Sequence, residues 1–299
     1  MGRQRKVPSG TQSKGGTTPT NTTTTTDKGF GVQLKKNGIF FGRLITEKPD
    51  DITTVQEYLD RTRRSASPDQ EAYDQYVEQI AYGGGNEASV QSNAWQFIAK
   101  HPTFSKTPGY APNLNFQWTE VESALTFGLS DAKPDYSECF RRDQYPDEAC
   151  DALGGALVPT PYDGAMPTFC AEWKGPDVLM PSAEKQCAYD GALMVDAAFE
   201  ALKYMKKNEE GLYGKTQAIT LAMNGEYAHF YTNHVVKKAS GLQYHQYAIG
   251  KHTPTNSLKE YKETRKQLRN AQDWGRERAG RDQGRIARIH TFQGGRCRL

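Results

Sequence analysis

Residues 167–176 read PTFCAEWKGP. This stretch predicts a strand closed by Gly175-Pro176. Side chains alternate along a strand, so Glu172 and Lys174 share one face while Trp173 points the other way, into apolar packing. The preceding Phe169, Cys170 and Ala171 carry no charge. A carboxylate and an ammonium side by side in an apolar run mark this strand as a place where chemistry is expected.

A second strand is needed to make use of them. Pro-Asp recurs at residues 49, 68, 134, 146 and 176, and a second Glu-x-Lys stands at 260–262, so spelling alone selects nothing. Pro68-Asp69 opens a helix, Glu260 and Lys262 lie within one, and Pro146-Asp147 sits in a loop. Pro134-Asp135 alone leads into a plausible strand, YSECF (136–140), upstream of Glu172. Antiparallel pairing of the two strands would set Asp135 beside Glu172.

The remaining elements follow from local signals. Structure is expected to begin near Ile52, with a Thr54/Glu57 capping box opening a short helix. A second helix starts at Ser67-Pro68-Asp69-Gln70, carries Tyr73, Tyr76, Val77 and Ile80, and stops at Gly83-Gly84-Gly85. A third opens at about Asn86 and runs toward His101 with Val90, Ala94, Phe97 and Ile98 as its buried stripe. Residues 115–128 and 135–140 read as strands, and the Pro/Gly/Asp-rich 141–165 as a loop. A long helix spans 182–206. TQAITLAMNGEYAHFYTNHVV (216–236) reads as a hairpin across Asn224-Gly225. A last helix opens at the Ser257/Glu260 box and carries Leu258, Tyr261, Leu268, Ala271 and Trp274. Helices, then a mixed sheet with one inserted helix, then a helix make an α/β (α+β) domain: a mixed central β-sheet flanked by helices, with extra N- and C-terminal helices. Its expected span is 29–290, between a low-complexity, disordered tail (1–28) and a basic tail (291–299).

Composition bounds the class. The chain has 299 residues and a mean hydropathy of −0.78, with no apolar run long enough for a membrane span and no signal-peptide core at its start. Its basic opening, GRQRK (2–6), reads as a weak nuclear-import patch. Five cysteines without a CxxC pair read as reduced thiols of an intracellular protein, nuclear or cytoplasmic. The net charge of +3 hides an asymmetry: residues 251–299 hold thirteen Lys/Arg against five Asp/Glu, which leaves the rest of the chain acidic. A basic end suits either a polyanion such as nucleic acid or a solvated helix and tail.

KPDYSECF (133–140), FCAEWKGP (169–176) and AEKQCAYDGA (183–192) together resemble motifs II, III and IV of the PD-(D/E)XK nuclease superfamily, whose core is restriction-endonuclease-like. They are especially similar to a group of fungal proteins with such a core. RTRRSASPDQEAYDQY (61–76), GLQYHQYAIGKHTP (241–254) and LKEYKETRKQLRNAQDWG (258–275) extend the resemblance over roughly residues 30–289. One departure is the 36 residues separating Asp135 from Glu172, more than in compact members. The resemblance implies a Mg²⁺-dependent phosphodiesterase, with Mn²⁺ a potential substitute and DNA favoured over RNA. It implies Asp135 and Glu172 as metal ligands, Lys174 at the attacking water, and Gln186 as the polar residue of motif IV. Glu87, in GGNEASVQ (84–91), is implied as the acidic residue of motif I and a further metal or water ligand. On an ideal helix, Ala94 and Ile98 lie within about 20° of Glu87, which would aim its carboxylate along the buried face. Arg276, Arg278, Arg281, Arg285 and Arg288 are the candidate nucleic-acid contacts. The alternative is a binding or protein-interaction module that keeps the fold without the catalysis; oligomeric state stays open, with a homodimer among the options.

Other signals are weaker. Gly211 to Thr216 imitates the end of a P-loop, but Glu209 stands where a glycine is required and a strand follows. His229 and His234, five apart on a strand, face opposite sides and make no metal pair. Tyr244, His245, Tyr247 and Trp274 either stack on bases or cover the sheet.

Overall fold

A computed structural model describes residues 22–42, 44–82, 86–100, 107–160, 164–175 and 178–294. The expected helix stop at Gly83–Gly85, the helix end at His101 and the N-terminal basic patch lie outside these residues. The sheet has seven strands: β1 (Ile39–Phe40), β2 (Tyr110–Leu114), β3 (Tyr136–Arg141), β4 (Gly164–Trp173), β5 (Ala218–Met223), β6 (Ala228–Lys238) and β7 (Gly241–His252), in the order β1-β7-β6-β5-β4-β3-β2. Only β1–β7 and β4–β5 pair in parallel, so the sheet is mixed and the expected α/β fold is present. Among the described residues, no helix is long and apolar enough to cross a membrane.

Each face of the sheet is covered, and alternation along β4 decides which residue meets which cover. On one face Phe169, Ala171 and Trp173 pack with Val55 and Leu59 of α2 (Ile52–Asp60), Tyr76 of α3 (Gln70–Tyr82), and Leu268, Ala271 and Trp274 of α8 (Leu258–Gly294). On the other, Cys170 packs with Ala188, Leu193 and Met194 of α7 (Met180–Tyr204), beside Phe30 and Leu34 of α1 (Phe30–Lys36). Glu172 belongs to this second face by period. Helix α7 comes close because Gly191 has no side chain: a Cβ there would lie 2.2 Å from Asn233 Oδ1 on β6. Asn233 is buried and donates to Thr220 Oγ1 at 3.2 Å, so it has little room to yield. Gly191→Ala is expected to lower stability by about 1–3 kcal/mol through overpacking, read from the midpoint of urea unfolding.

Several boundaries differ from expectation. Helix α1, β1 and a bridge between Thr23 and Leu129 precede Ile52, so residues 22–28 are held by the fold. Helix α2 starts with Asp51 at its N-cap position, ahead of Thr54, and the Asp51 carboxylate accepts from Thr216 N and Oγ1 instead of capping its own helix. At α3 the cap is Asp69, whose Oδ1 accepts from Ala72 N at 3.0 Å, and Ser67 lies outside. Residues 115–128 are no strand. Asn115 adopts φ 53° and ends β2, while Trp118, from irregular backbone, and Leu125, from a 3-10 turn (Ala124–Thr126), bury themselves against α1 and α7. The loop expected at 141–165 contains α6 (Asp147–Leu153), stabilised by Asp147 and Glu148 in its first turn and by burial of Ala149 and Cys150.

The hairpin, α7 and the start of α8 are as expected. Asn224 to Tyr227 connect β5 to β6, with Gly225 at φ 90°, and Glu260 N donates to Ser257 Oγ. The segment after Gly211 enters β5 without a helix, so no phosphate loop is built there. Cys139, Cys150, Cys170 and Cys187 are buried free thiols.

On β6 and β7, His234 and His245 stack with ring centroids 5.6 Å apart, and neither nitrogen of His234 has a hydrogen-bond partner among the described residues. Burial, with His245 beside it, pushes His234 down to about 4. The folded state therefore excludes a proton that the unfolded chain binds below about pH 6.5. Stability from this group is fully present above that pH and is lost as pH falls toward 4, by on the order of 3 kcal/mol. His234→Gln should flatten that part of the curve, checked by subtracting variant from wild-type unfolding free energies between pH 7 and 4.

Candidate active site

The cluster is assembled at the C-terminal end of β4. Tyr136 of β3 is paired with Ala171, which sets Asp135, one residue earlier, across from Glu172 on the same face. Asp135 Oδ2 accepts from Trp173 N at 2.6 Å, so the carboxylate itself extends the ladder past the last paired residue. Pairing across the long 141–165 excursion is thus intact, with an irregularity between Glu138 and Phe140 absorbing the change of register.

Lys174 continues past the strand end, its N–H donating to Met223 O at 2.9 Å. Its Nζ lies 3.1 Å from Glu87 Oε1 and 3.8 Å from Glu172 Oε2, and donates to Trp173 O at 2.5 Å. Glu87 opens α4 (Glu87–Val90), which passes through a π-helical turn (Gln91–Trp95) into α5 (Gln96–Ile98). The wider turn breaks the ideal 100° phase, so Glu87 is not on the buried face expected for it. Its side chain is 46% exposed and comes over the sheet end to meet Lys174, which is 10% exposed. Helix α5 ends at Ile98, where Arg269 of α8 donates to the carbonyls of Ile98 and Ala99.

Gln186 stands on α7 with its Oε1 buried and unpartnered among the described residues. One turn later, on the same helix face, comes Asp190. Asp190 is buried, and its carboxylate raises the pKa of the neighbouring Glu172. Asp190 is absent from the sequence-based site, yet a signal for it exists. It falls among Ala183, Cys187 and Met194 on the apolar stripe of α7, where a carboxylate needs a reason.

Electrostatics follow from packing four carboxylates around one ammonium. Burial pushes Asp135 up to about 6, against the lowering by the Trp173 N–H and Lys174. Burial, then the Asp190 and Asp135 carboxylates, raise Glu172 well above the usual range. Burial raises Asp190 to about 7. Burial disfavours the charged form of Lys174, but Glu172, Asp135 and Glu87 outweigh it and hold its ammonium protonated. Glu172 Oε2 is buried with no hydrogen-bond partner among the described residues. Orphaned acceptors at Glu172 and Gln186, beside carboxylates that resist ionisation together, are what a hard divalent cation satisfies. Among the described residues, no three His, Cys, Asp or Glu side chains are already gathered at ligand spacing, and Lys174 supplies the local positive charge.

Residues 90–281 match the family described as a domain of unknown function, DUF7924. The chain belongs to the DUF7924 family. The matched span contains Asp135, Glu172, Lys174, Gln186 and Asp190, while Glu87 lies three residues before it. No curated protein matches this DUF7924 chain.

The candidate arginines divide. Arg276 pairs with Asp273 at 2.6 Å, on the side where Arg63 and Lys100 also hold that carboxylate. Arg278 and Arg285 both pair with Asp282, and Arg281 and Arg288 are exposed. Trp274 is part of the core, and Tyr244 donates to Asp196 at 2.5 Å, so neither is free to stack on a base. His229 faces Glu184 at 2.8 Å, away from His234.

Proposed function

We propose that this chain is a Mg²⁺-dependent nuclease that hydrolyses phosphodiester bonds, with DNA the favoured substrate. The observation that carries the reading is the meeting of Asp135, Glu172 and Lys174 at one strand end, with a buried oxygen of Glu172 left without a donor among the described residues. Asp135 and Glu172 would hold the metal, with Glu87 and Asp190 as further acidic oxygens and Gln186 contributing its carbonyl. When bound, the metal supplies a Lewis acid for the phosphoryl oxygen and lowers the pKa of a coordinated water. Lys174, kept protonated by its carboxylate neighbours, positions the attacking water and offsets charge that builds on the phosphoryl oxygens. Trp173 fixes both ends of the arrangement: its N–H orients Asp135 and its carbonyl orients Lys174.

A binding or interaction module is the second reading, favoured by the Lys174–Glu87 ion pair and the lack of a closed ligand set among the described residues. Against it, clustered carboxylates repel phosphates and give a pure binder nothing. Incubating the protein with plasmid, linear DNA and RNA in Mg²⁺ or EDTA decides between them. Mg²⁺-dependent, EDTA-sensitive cleavage supports the nuclease; no cleavage of any substrate with Mg²⁺ or Mn²⁺ removes it.

A further inference from the structure

A groove of about 1110 Å³ opens at the far end of the sheet from the carboxylates. Its cations come from three separate segments: Lys207 after α7, Lys215 before β5, and Arg278, Arg285 and Arg288 on α8. The one carboxylate among the described residues lining it is Asp51, and Asp50 approaches Lys215 at 3.8 Å from beside it. Asp282, itself buried, takes Arg278 Nε at 2.8 Å and Arg285 Nη1 at 3.3 Å. Counting Asp50, Asp51 and Asp282 against the five cations leaves a surplus of two. One buried carboxylate thus fixes two guanidiniums, and Gln217 takes a further hydrogen bond from Arg278. Each guanidinium has five donors, so most of those on Arg285 remain for a ligand. Holding them in place beforehand reduces the side-chain entropy forfeited on binding.

The shape selects the ligand class. The volume is above the usual range for small-molecule pockets. The cations are strung out and do not converge on a point: Arg278 to Arg288 spans about 15 Å of helix. That length matches about four successive phosphates of one strand of a duplex, at about 3.4 Å each along the axis. The groove begins at Gln217, while Glu172 pairs with Ala222, five residues further along β5 and so about 16 Å away.

We infer that this groove is a second nucleic-acid contact, a track for the phosphate backbone remote from the scissile bond, which rests on the nuclease reading for the identity of its polyanion. A duplex must then exceed about 30 Å, or about nine base pairs at 3.4 Å each, to occupy both places.

The test uses the full-length protein and fluorescence anisotropy in EDTA with labelled 8- and 24-base-pair duplexes, beside cleavage assays in Mg²⁺. The groove variant is Lys207→Gln/Arg285→Gln/Arg288→Gln, all outside the core. The control, Lys28→Gln/Lys36→Gln, removes two positive charges at exposed residues that do not line the groove. The expected result is at least tenfold weaker binding of the 24-mer by the groove variant. Its salt dependence should be shallower by about 2–3 in slope, at about 0.9 for each phosphate that is no longer neutralised, with the control unchanged. Equal weakening in groove variant and control, or an unchanged slope in the groove variant, overturns the track even if the protein cleaves DNA. A groove-dependent slope without any cleavage keeps the track and removes the nuclease. Binding of polyglutamate but of no nucleic acid overturns it in favour of an acidic protein partner.

Discussion

Lys174→Ala is expected to cut cleavage by about 10²–10³-fold while leaving the Mg²⁺ concentration for half-maximal rate nearly unchanged, by analogy with loss of one oxyanion-stabilising donor. In the proposed reaction Nζ acts on charge that appears mainly in the transition state, so its removal should cost turnover more than binding. Glu172→Ala removes a proposed metal ligand and should lose Mg²⁺ dependence and cleavage together. Burial and the Asp190 and Asp135 carboxylates hold Glu172 well above the usual carboxylate range, so without metal its removal adds no negative charge. Metal-free DNA binding should then hold or tighten. Mg²⁺ titrations of cleavage and EDTA-state binding for wild type and both variants separate the roles. Full activity in both variants would place the chemistry elsewhere.

Metal removal is expected to expose the strain of the acid cluster. In EDTA at pH 8, Asp190→Asn should be more stable than wild type by on the order of 2–4 kcal/mol. The folded-state carboxyl of Asp190 is raised to about 7, mainly by burial. The folded protein therefore holds a proton between about pH 4 and 7 that the unfolded chain has released. The penalty is absent below that window and complete above it, so wild-type stability falls as pH rises through it. Mg²⁺ should reverse the order, raising wild-type Tm by mass action while moving Asp190→Asn less. Melting curves in EDTA and in saturating Mg²⁺ at pH 8 make the comparison; a destabilised Asp190→Asn in EDTA would make Asp190 a structural hydrogen-bonding group instead.

What is legible in the sequence tracks how local each signal is. Alternation along 167–174, the Asn224-Gly225 turn and the Ser257/Glu260 cap are complete within a few residues, and each element stands where they put it. The pairing of Asp135 with Glu172 is reachable because only one Pro-Asp leads into a strand. Tertiary packing produces the misses. Trp118 and Leu125 look like strand residues because they are buried, yet their burial comes from α1 and α7. Asp51 has a cap's identity but gives its carboxylate to Thr216. Strand β7 draws notice for its aromatics and not its pairing, although it joins β6 along most of its length. An ideal-helix phase puts Glu87 on a buried face, and the π-turn at Gln91–Trp95 breaks that phase.

That same turn places Trp95 with its ring centroid 5.1 Å from that of Trp173 and 4.5 Å from that of Tyr136. Trp173 is the residue whose peptide groups bond Asp135 on one side and Lys174 on the other. Two indoles in near contact couple their electronic transitions, and here one of them is wired by its own backbone to the charged groups. The near-ultraviolet signal of this pair is therefore expected to respond to a change in the carboxylate cluster. A cation that draws Asp135 is expected to shift the Trp173 backbone, so the circular dichroism of the indole pair, compared in Mg²⁺ and in EDTA, tests metal binding without any attached dye.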